Sequence, residues 1–329
     1  MFLYKKQEKT DCTPEQSHSP KITITMTTYN RADMLPRAVN SVLKQTYQDF
    51  EVVIVANGSQ DHTPQVLERY KDNSKIRLFR LEENRGPRGG YNYALDQIKG
   101  EWFTFLGDDD IIFENCLETM IRVPQEIDST INAVTCNVID STTGKFAGRG
   151  LNKDQYLPLE TIVKKTEGVF FGITKTKLLG DLRLNVSLNS HDDAFFYKID
   201  AIANRYYIHK ALRLFNTADY TESSKLKTAN LNHRVELFQE LYKETFYLDA
   251  LKKYNLPKYI KKCFVGLFFM KIARNDKALQ IYQQRLSEVL SAPKERFLLR
   301  LIRNNNPWLL KQLFHLCGRE KLFNWTGLS

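Results

Sequence analysis

EWFTFLGDDD, residues 101–110, decides how this chain is to be read. Trp102, Phe103, Phe105 and Leu106 form a short apolar run of the kind found in buried strands, and it ends against Asp108, Asp109 and Asp110. Adjacent carboxylates repel one another and cost stability unless a cation neutralises them. Hard oxygen donors select Mg²⁺ or Mn²⁺, and Mg²⁺ is commonly held by one or two carboxylates together with substrate phosphates. By residue type alone the run also fits a solvated acidic turn capping a following helix. The buried strand before it weighs toward the metal.

Working outward, the same strand-then-polar-loop pattern precedes it three times. KITITMTTYN, residues 21–30, reads as a strand entering a loop at 27–31. FEVVIVANGSQDHT, residues 50–63, reads as a buried strand entering a polar turn, and KIRLFRLEEN, residues 75–84, as a third strand. Helical spacing separates them at 34–45, through Leu35, Ala38, Val39, Val42 and Leu43, with shorter helices at 63–71 and 89–98. Strands alternating with helices predict an α/β fold with a mainly parallel central sheet flanked by helices. Ligands of such sheets lie beyond the carboxyl ends of the strands. Here those ends are TTYNR, ANGSQD, EENRG and GDDD, where the polar residues gather.

Downstream, strands are expected near 133–139, 168–173 and 206–211, with a helix at 193–203 between the last two. Past residue 221 the pattern turns to long helical stretches at 230–255, 257–274, 275–290 and 294–317. Residues 1–20 read as a flexible polar leader, 21–220 as the catalytic domain and 221–329 as a basic helical C-terminal region. The 329 residues are 42% hydrophobic, which excludes a mostly disordered chain. Five scattered cysteines with no CxxC pair argue against a zinc site or a disulfide framework and suit a reducing compartment. The longest uninterrupted apolar run, residues 263–270, is far short of the ~20 needed to span a bilayer, and the N-terminus shows no signal peptide. A cytoplasmic protein, soluble or peripheral at the inner face of the plasma membrane, is expected.

The four ordered blocks resemble the large inverting glycosyltransferase family 2, whose fold is the Rossmann-like GT-A fold. VIVANGSQD stands where that family has V-D-D-G-S-x-D, ENRGPRGGYNYAL where it has N-x-G-x-x-x-A-R-N-x-G, and GEWFTFLGDDD at its acidic motif. The resemblance covers about two thirds of the chain. It implies a nucleotide-sugar donor, a UDP-sugar being favoured, with Thr27, Thr28 and Tyr29 near the base and Arg31 close by. Asn57 takes the place of an acid that contacts uracil, while Asn84, Gly86 and Asn92 match the third block. Arg88 would replace the cation lost where Tyr91 occupies the usual Arg position. Asp108 would contact the ribose, and Asp109 or Asp110 the Mn²⁺ or Mg²⁺ bridging the diphosphate. Ala56, Tyr91 and Gly107 depart from the family pattern.

A second acidic site, His191-Asp192-Asp193 before AFFYKI, resembles the family's acceptor-side pair that supplies the catalytic base. Asp193 is the expected base, with Asp192 or His191 behind it. An inverting transfer needs one carboxylate to take the acceptor proton. Both aspartates would equally serve as helix caps.

The net charge of +10 is uneven: residues 225–329 hold 20 Lys and Arg against 8 Asp and Glu. Basic residues flank apolar ones around 258–274, and again where Phe297, Leu298 and Leu301 alternate with Arg296, Arg300 and Arg303, followed by Trp308, Lys311, Leu313 and Arg319. Such helices can lie on an anionic membrane or pack as a bundle on the catalytic domain, and both can hold at once. The expected activity is metal-dependent inverting transfer of a sugar to a hydroxyl of a saccharide or lipid-linked saccharide acceptor, in surface polysaccharide or glycolipid synthesis. A nucleotidyltransferase would carry a Gly-rich basic loop in place of TTYNR. A nucleic-acid binder would not have a slightly acidic N-terminal two thirds, so no nucleic-acid partner is expected. A degenerate GT-A-like binding module is the remaining alternative.

Overall fold

The computed structural model describes residues 20–188, 191–217, 231–291, 293–304 and 306. The leader at 1–19 and the tail from 307, including Trp308, Lys311, Leu313 and Arg319, lie outside the described residues, as do the side chains of Phe297, Leu298 and Leu301.

The chain opens with β1 (Ile22–Thr28), α1 (Leu35–Leu43), β2 (Phe50–Asn57), α2 (Thr63–Glu68), β3 (Ile76–Leu81), α3 (Gly86–Leu95) and β4 (Trp102–Phe105). After β4 come β5 (Ile111–Ile112), α4 (Cys116–Glu126), β6 (Ala133–Asp140), β7 (Gln155–Tyr156), α5 (Leu159–Lys165), β8 (Phe170–Lys175), α6 (Asp193–Asp200) and β9 (Arg205–Phe215). A helical region comes next, with α7 (Leu231–Leu241), α8 (Thr245–Tyr254), α9 (Leu256–Ala273), α10 (Asp276–Ser287) and α11 (Pro293–Asn304).

The strands form one sheet in the order β3-β2-β1-β4-β8-β6-β9-β5, with β7 on β9. The half containing β3, β2, β1 and β4 is parallel, as the alternation of strands and helices requires. β8 then enters antiparallel between β4 and β6, and β5 pairs antiparallel with β9, so the far half is mixed. Every residue of β1 and β2 is buried, which explains the largely apolar run of β2. β1 divides by period two. Ile22, Ile24 and Met26 enter the main core with Val39, Val42 and Leu117, while the Thr23 and Thr25 hydroxyls on the other face donate to Glu51 Oε1 at 2.7 Å and Thr104 O at 2.8 Å.

A second core gathers Phe264, Leu267, Phe268 and Phe269 of α9 with Phe238, Leu251 and Tyr282, and takes in Val163 of α5 and Tyr197 of α6. The apolar residues of α9 from Tyr259 to Ile272 are therefore largely buried against protein, as the bundle reading expects, while Leu256 at its start is exposed. The stretch 230–255 is two helices, α7 and α8, broken at 242–244. Among the described residues no helix is long and apolar enough to cross a membrane.

Candidate active site

The parallel strands deliver their loops to one edge of the sheet, and the loops tie one another down. Asn30, at φ 52°, accepts the Gln60 amide at 2.8 Å, and the Arg31 amide donates to Thr63 Oγ1 at 2.9 Å. Those bonds join the loop after β1 to the loop after β2. Thr27 and Thr28 are buried at the end of β1, and Tyr29 is exposed. Thr27 Oγ1 has no hydrogen-bond partner among the described residues.

Asn57, at the end of β2, clamps the third loop. Its Nδ2 donates to Asn84 Oδ1 at 3.1 Å and Gly86 O at 2.9 Å, and its Oδ1 accepts the Arg85 amide at 3.0 Å. Both amide protons are thereby used, so a nucleotide base would find only the second lone pair of Oδ1. α3 passes so close to β1 that a Cβ on Gly90 would stand 2.1 Å from Thr27 Oγ1. Asn92, later on the same helix, brackets a distant segment by exchanging two 2.8 Å bonds with the Leu184 backbone. Tyr91 replaces the family's Arg with a different task. Its hydroxyl donates to Leu106 O at 3.0 Å, and its ring meets Phe105 edge-on, which fixes the peptide leading into the acidic run.

The three carboxylates separate. Asp108 is buried, and loss of water pushes its pKa up to about 6, with the Thr28 hydroxyl and the Arg31 charge acting in the opposite direction and Asp109 reinforcing the rise. Asp109 accepts from Arg31 Nη1 at 3.1 Å. Asp110 faces the sheet instead: its Oδ2 pairs with Arg213 of β9 and its Oδ1 accepts the Asn216 amide at 2.9 Å. Of the two expected metal ligands, Asp110 is thus held by the fold, and Asp109 is the one beside Asp108. The run leads directly into the two-residue strand β5, so the helix-capping alternative has no helix to cap.

Among the described residues no three His, Cys, Asp or Glu side chains gather into a complete metal cage. The residues present nonetheless fit Mg²⁺ or Mn²⁺, which one or two carboxylates would hold together with substrate phosphates. Asp108, whose raised pKa records an undercompensated buried charge, stands next to Asp109.

On the acceptor side, Arg88 Nε donates to Asp192 Oδ1 at 2.8 Å, linking α3 to the start of α6. Asp192 makes no side-chain cap bond. Asp193 Oδ1 is buried and accepts no hydrogen bond from any described residue. His191 is buried, contacts Lys262 Nζ of α9 through Nε2, and packs edge-on to Tyr247 of α8.

Sequence reasoning missed Arg213, Asn216, Tyr247 and Lys262. Arg213 carried a faint mark, a cation inside an otherwise β-forming stretch, but nothing local ties it to Asp110. Lys262 read as one of several flanking charges.

A parallel strand bundle whose C-terminal edge carries paired carboxylates, with a second acidic pair opening a helix nearby, defines a GT-A glycosyltransferase. The glycosyl transferase family 2 model matches residues 23–181. Over 302 residues the chain is 30% identical to the GalNAc(5)-diNAcBac-PP-undecaprenol beta-1,3-glucosyltransferase of Campylobacter jejuni, spanning 87% of this chain and 95% of that enzyme. It is 24% identical over 202 residues to glycosyltransferase GlyG of Streptococcus pneumoniae, across 57% of this chain and 67% of that one. The fold matches S. aureus TarS 1–349, crystallised in complex with UDP-GlcNAc, at a TM-score of 0.61 and 18% identity, over 90% of this chain and 91% of that one. The chain belongs to glycosyltransferase family 2 and is an enzyme of that class.

Proposed function

We propose that the enzyme moves a sugar from a nucleoside-diphosphate sugar, with UDP favoured, onto a hydroxyl of a lipid-linked saccharide, with inversion at the anomeric carbon. The observation that carries this reading is the unbonded, buried carboxylate oxygen of Asp193 at the start of α6, a segment tied by Arg88 and Asp192 to the helix that succeeds the third donor-side loop. The Tyr247 hydroxyl of α8 stands close to this carboxylate, and an acceptor hydroxyl would be the donor that completes its hydrogen bonding. Asp193 would take that proton as the hydroxyl oxygen attacks the anomeric carbon and the bond to the diphosphate breaks. Asp108 and Asp109 would hold Mg²⁺ or Mn²⁺, whose charge stabilises the departing nucleoside diphosphate. Arg31 would hold the Asp109 side chain in place and lie within reach of a phosphate. Thr27, Thr28 and Tyr29 would line the base side, and Asn57, Asn84 and Asn92 would shape the loops around the donor. The Campylobacter relative, named for a polyprenyl-diphosphate-linked acceptor, supports the lipid-linked substrate class, and the TarS complexes support UDP.

We further divide the chain into a catalytic domain over 21–220 and a helical region over 221–329, the latter resting on α5 and α6 through the second core. Peripheral contact of the basic C-terminal region with an anionic inner membrane face would bring the site to such an acceptor. Cosedimentation with anionic liposomes at low salt tests that contact, and its absence ends the idea. The function itself is tested by thermal-shift measurements with UDP-, GDP-, CMP- and dTDP-sugars, with and without Mn²⁺. Stabilisation by a UDP-sugar that requires the metal is expected. Indifference to every nucleotide would overturn the reading.

A further inference from the structure

Arg88, Asn92 and Asp96, spaced four apart on α3 and its C-cap, hold the acceptor-side segment from the donor side. Arg88 donates to Asp192, Asn92 brackets Leu184, and Asp96 Oδ1 accepts from Arg183 Nε at 2.9 Å. Glu244 holds the same segment from the other side. It stands just before α8, in the helical region and outside the residues that match the family model. Its carboxylate is divided between two partners: Oε1 accepts from Asn185 Nδ2 at 3.0 Å, and Oε2 from Lys198 Nζ of α6 at 2.8 Å. Only 12% of the Glu244 side chain is exposed. α8 then lays Tyr247 against His191 and Tyr197, with ring centroids 6.3 and 5.4 Å apart. Those two residues stand on either side of Asp193 in the chain. A cavity of about 10 Å³ lies where these parts meet, with Arg88, Asn185, His191, Asp192, Lys198 and Glu244 in its wall. It has room for about one water and for no sugar, so Glu244 works from behind Asp192 and not on a substrate.

We propose that Glu244 is a positioning residue for the acceptor side, the point at which the helical region seats α6 and the segment before it. The inference rests on the proposed transfer, in which Asp192 and Asp193 serve the acceptor. α6 has only eight residues, about two turns, and a helix that short takes its place from what packs on it. Phe195 and Ile199 fix one face in a small core with Leu184, and Glu244 and Tyr247 hold another. Hydrogen bonds to an ionised group are roughly twice as strong as neutral ones, and two partners on separate oxygens fix the carboxylate in two directions. Removing it leaves the Lys198 ammonium and the Asn185 amide without their acceptor. Other ion pairs of the helical region stay within it, as Asp249 with Arg285 and Lys252 with Glu288 do. The Glu244 pair crosses instead to the helix that opens with the acids.

Hydrogen exchange of the full-length protein is the first test. Glu244→Ala should speed exchange about tenfold or more in peptides covering 183–188 and α6, with those of β1, β2 and β4 unmoved. Glu244→Gln, which keeps an oxygen for either partner, should return most of the protection. Lys198→Met serves as the second variant if the alanine form melts early. Asp249→Ala breaks an ion pair elsewhere on α8 and should leave 183–188 and α6 as in the parent. Exchange unmoved in Glu244→Ala and Lys198→Met, or loosened as much in Asp249→Ala, overturns the proposal. The second test is transfer from a UDP-sugar to a polyprenyl-diphosphate-linked saccharide. Glu244→Ala should lose about tenfold or more in kcat/KM for the acceptor while the Mn²⁺-dependent thermal shift with the UDP-sugar holds, and Glu244→Gln should recover most of the loss. An equal loss of donor stabilisation would mark a general packing role and also overturn it. Should the parent protein transfer no sugar at all, the proposed function fails, while hydrogen exchange still decides whether Glu244 seats α6.

Discussion

Asp108, Asp109 and Asp110 are neighbours in sequence with three different environments. The chain crosses from strand to loop within this run, so Asp108 is buried beside Thr28, Asp109 meets the loop after β1 through Arg31, and Asp110 is held by Arg213 and Asn216. Among the described residues Asp109 pairs with Arg31, whereas Asp110 has an almost fully buried pair with Arg213, itself flanked by Phe171 and Phe215. Equal-looking substitutions should therefore fail differently. Asp109→Asn should fold normally and lose metal-dependent nucleotide binding, seen as loss of the UDP-sugar thermal shift in Mn²⁺. Asp110→Asn leaves the Arg213 guanidinium without its anion and should destabilise the protein by about 3 kcal/mol or more in urea unfolding. A melting loss in the first variant, or a purely functional loss in the second, would reverse the assignment. Asp193→Asn should lower kcat by about 10²–10⁴ while nucleotide affinity holds, because in the proposed transfer that carboxylate would serve the acceptor and not the donor. Undiminished turnover would remove it as the base.

Among the elements, α9 bears most on how the helical region sits. Gly266 lies under the Tyr282 ring of α10, and a Cβ added there would stand 2.3 Å from the ring carbon that bears the hydroxyl. Gly266→Ala should cost about 1–3 kcal/mol, since Tyr282 is fully buried and cannot step aside cheaply. Denaturant unfolding measures it, and a neutral result would show that α9 and α10 can slide. The same elements show what a sequence can and cannot disclose. β2 and β4 were legible because burial on both faces writes a mostly apolar run, β1 because its β-branched residues alternate, and their loops because polar residues come at once after each strand. β5 and β7, two residues each, are too short to carry a period. α4 contains Pro124, which hid its helical spacing. The antiparallel entry of β8 between β4 and β6 is a choice of partner, and apolar patterning is the same for either strand direction. At the site, Arg31 and the acidic run were visible as motifs. Arg213 and Lys262 were not, because each meets its partner across a fold that brings together positions 103 and 71 residues apart.

Across the whole molecule, burial acts on two charges of opposite sign, one in each core, and their effects on stability combine into a single pH curve. Asp108, beside the sheet core, has its folded pKa raised from 3.8 to about 6. Between those values the folded state binds more protons than the unfolded one, so its contribution falls as pH rises through about 6 and stays low above it. Lys262, in the helical core, has its folded pKa lowered from 10.5 to about 8, so there the unfolded state binds more protons. Its contribution is low below about 8 and grows as pH rises toward 10.5. The two together place a trough between about pH 6 and 8, where both side chains are charged in surroundings that disfavour charge. The measurement is the difference in Tm between the parent protein and the double variant Asp108→Asn/Lys262→Met, taken from pH 4 to 10 in chelator. The parent should compare worst in the trough and recover on both sides, the acid side by on the order of 2–3 kcal/mol. Adding Mn²⁺ with UDP should lift the trough for the parent far more than for the double variant, since in the proposed site the ion would supply Asp108 with a counter-charge stronger than Arg31 alone. A flat difference across the whole range would mean that neither charge is held out of water, and the cleft and the α9–α6 contact would both have to be redrawn.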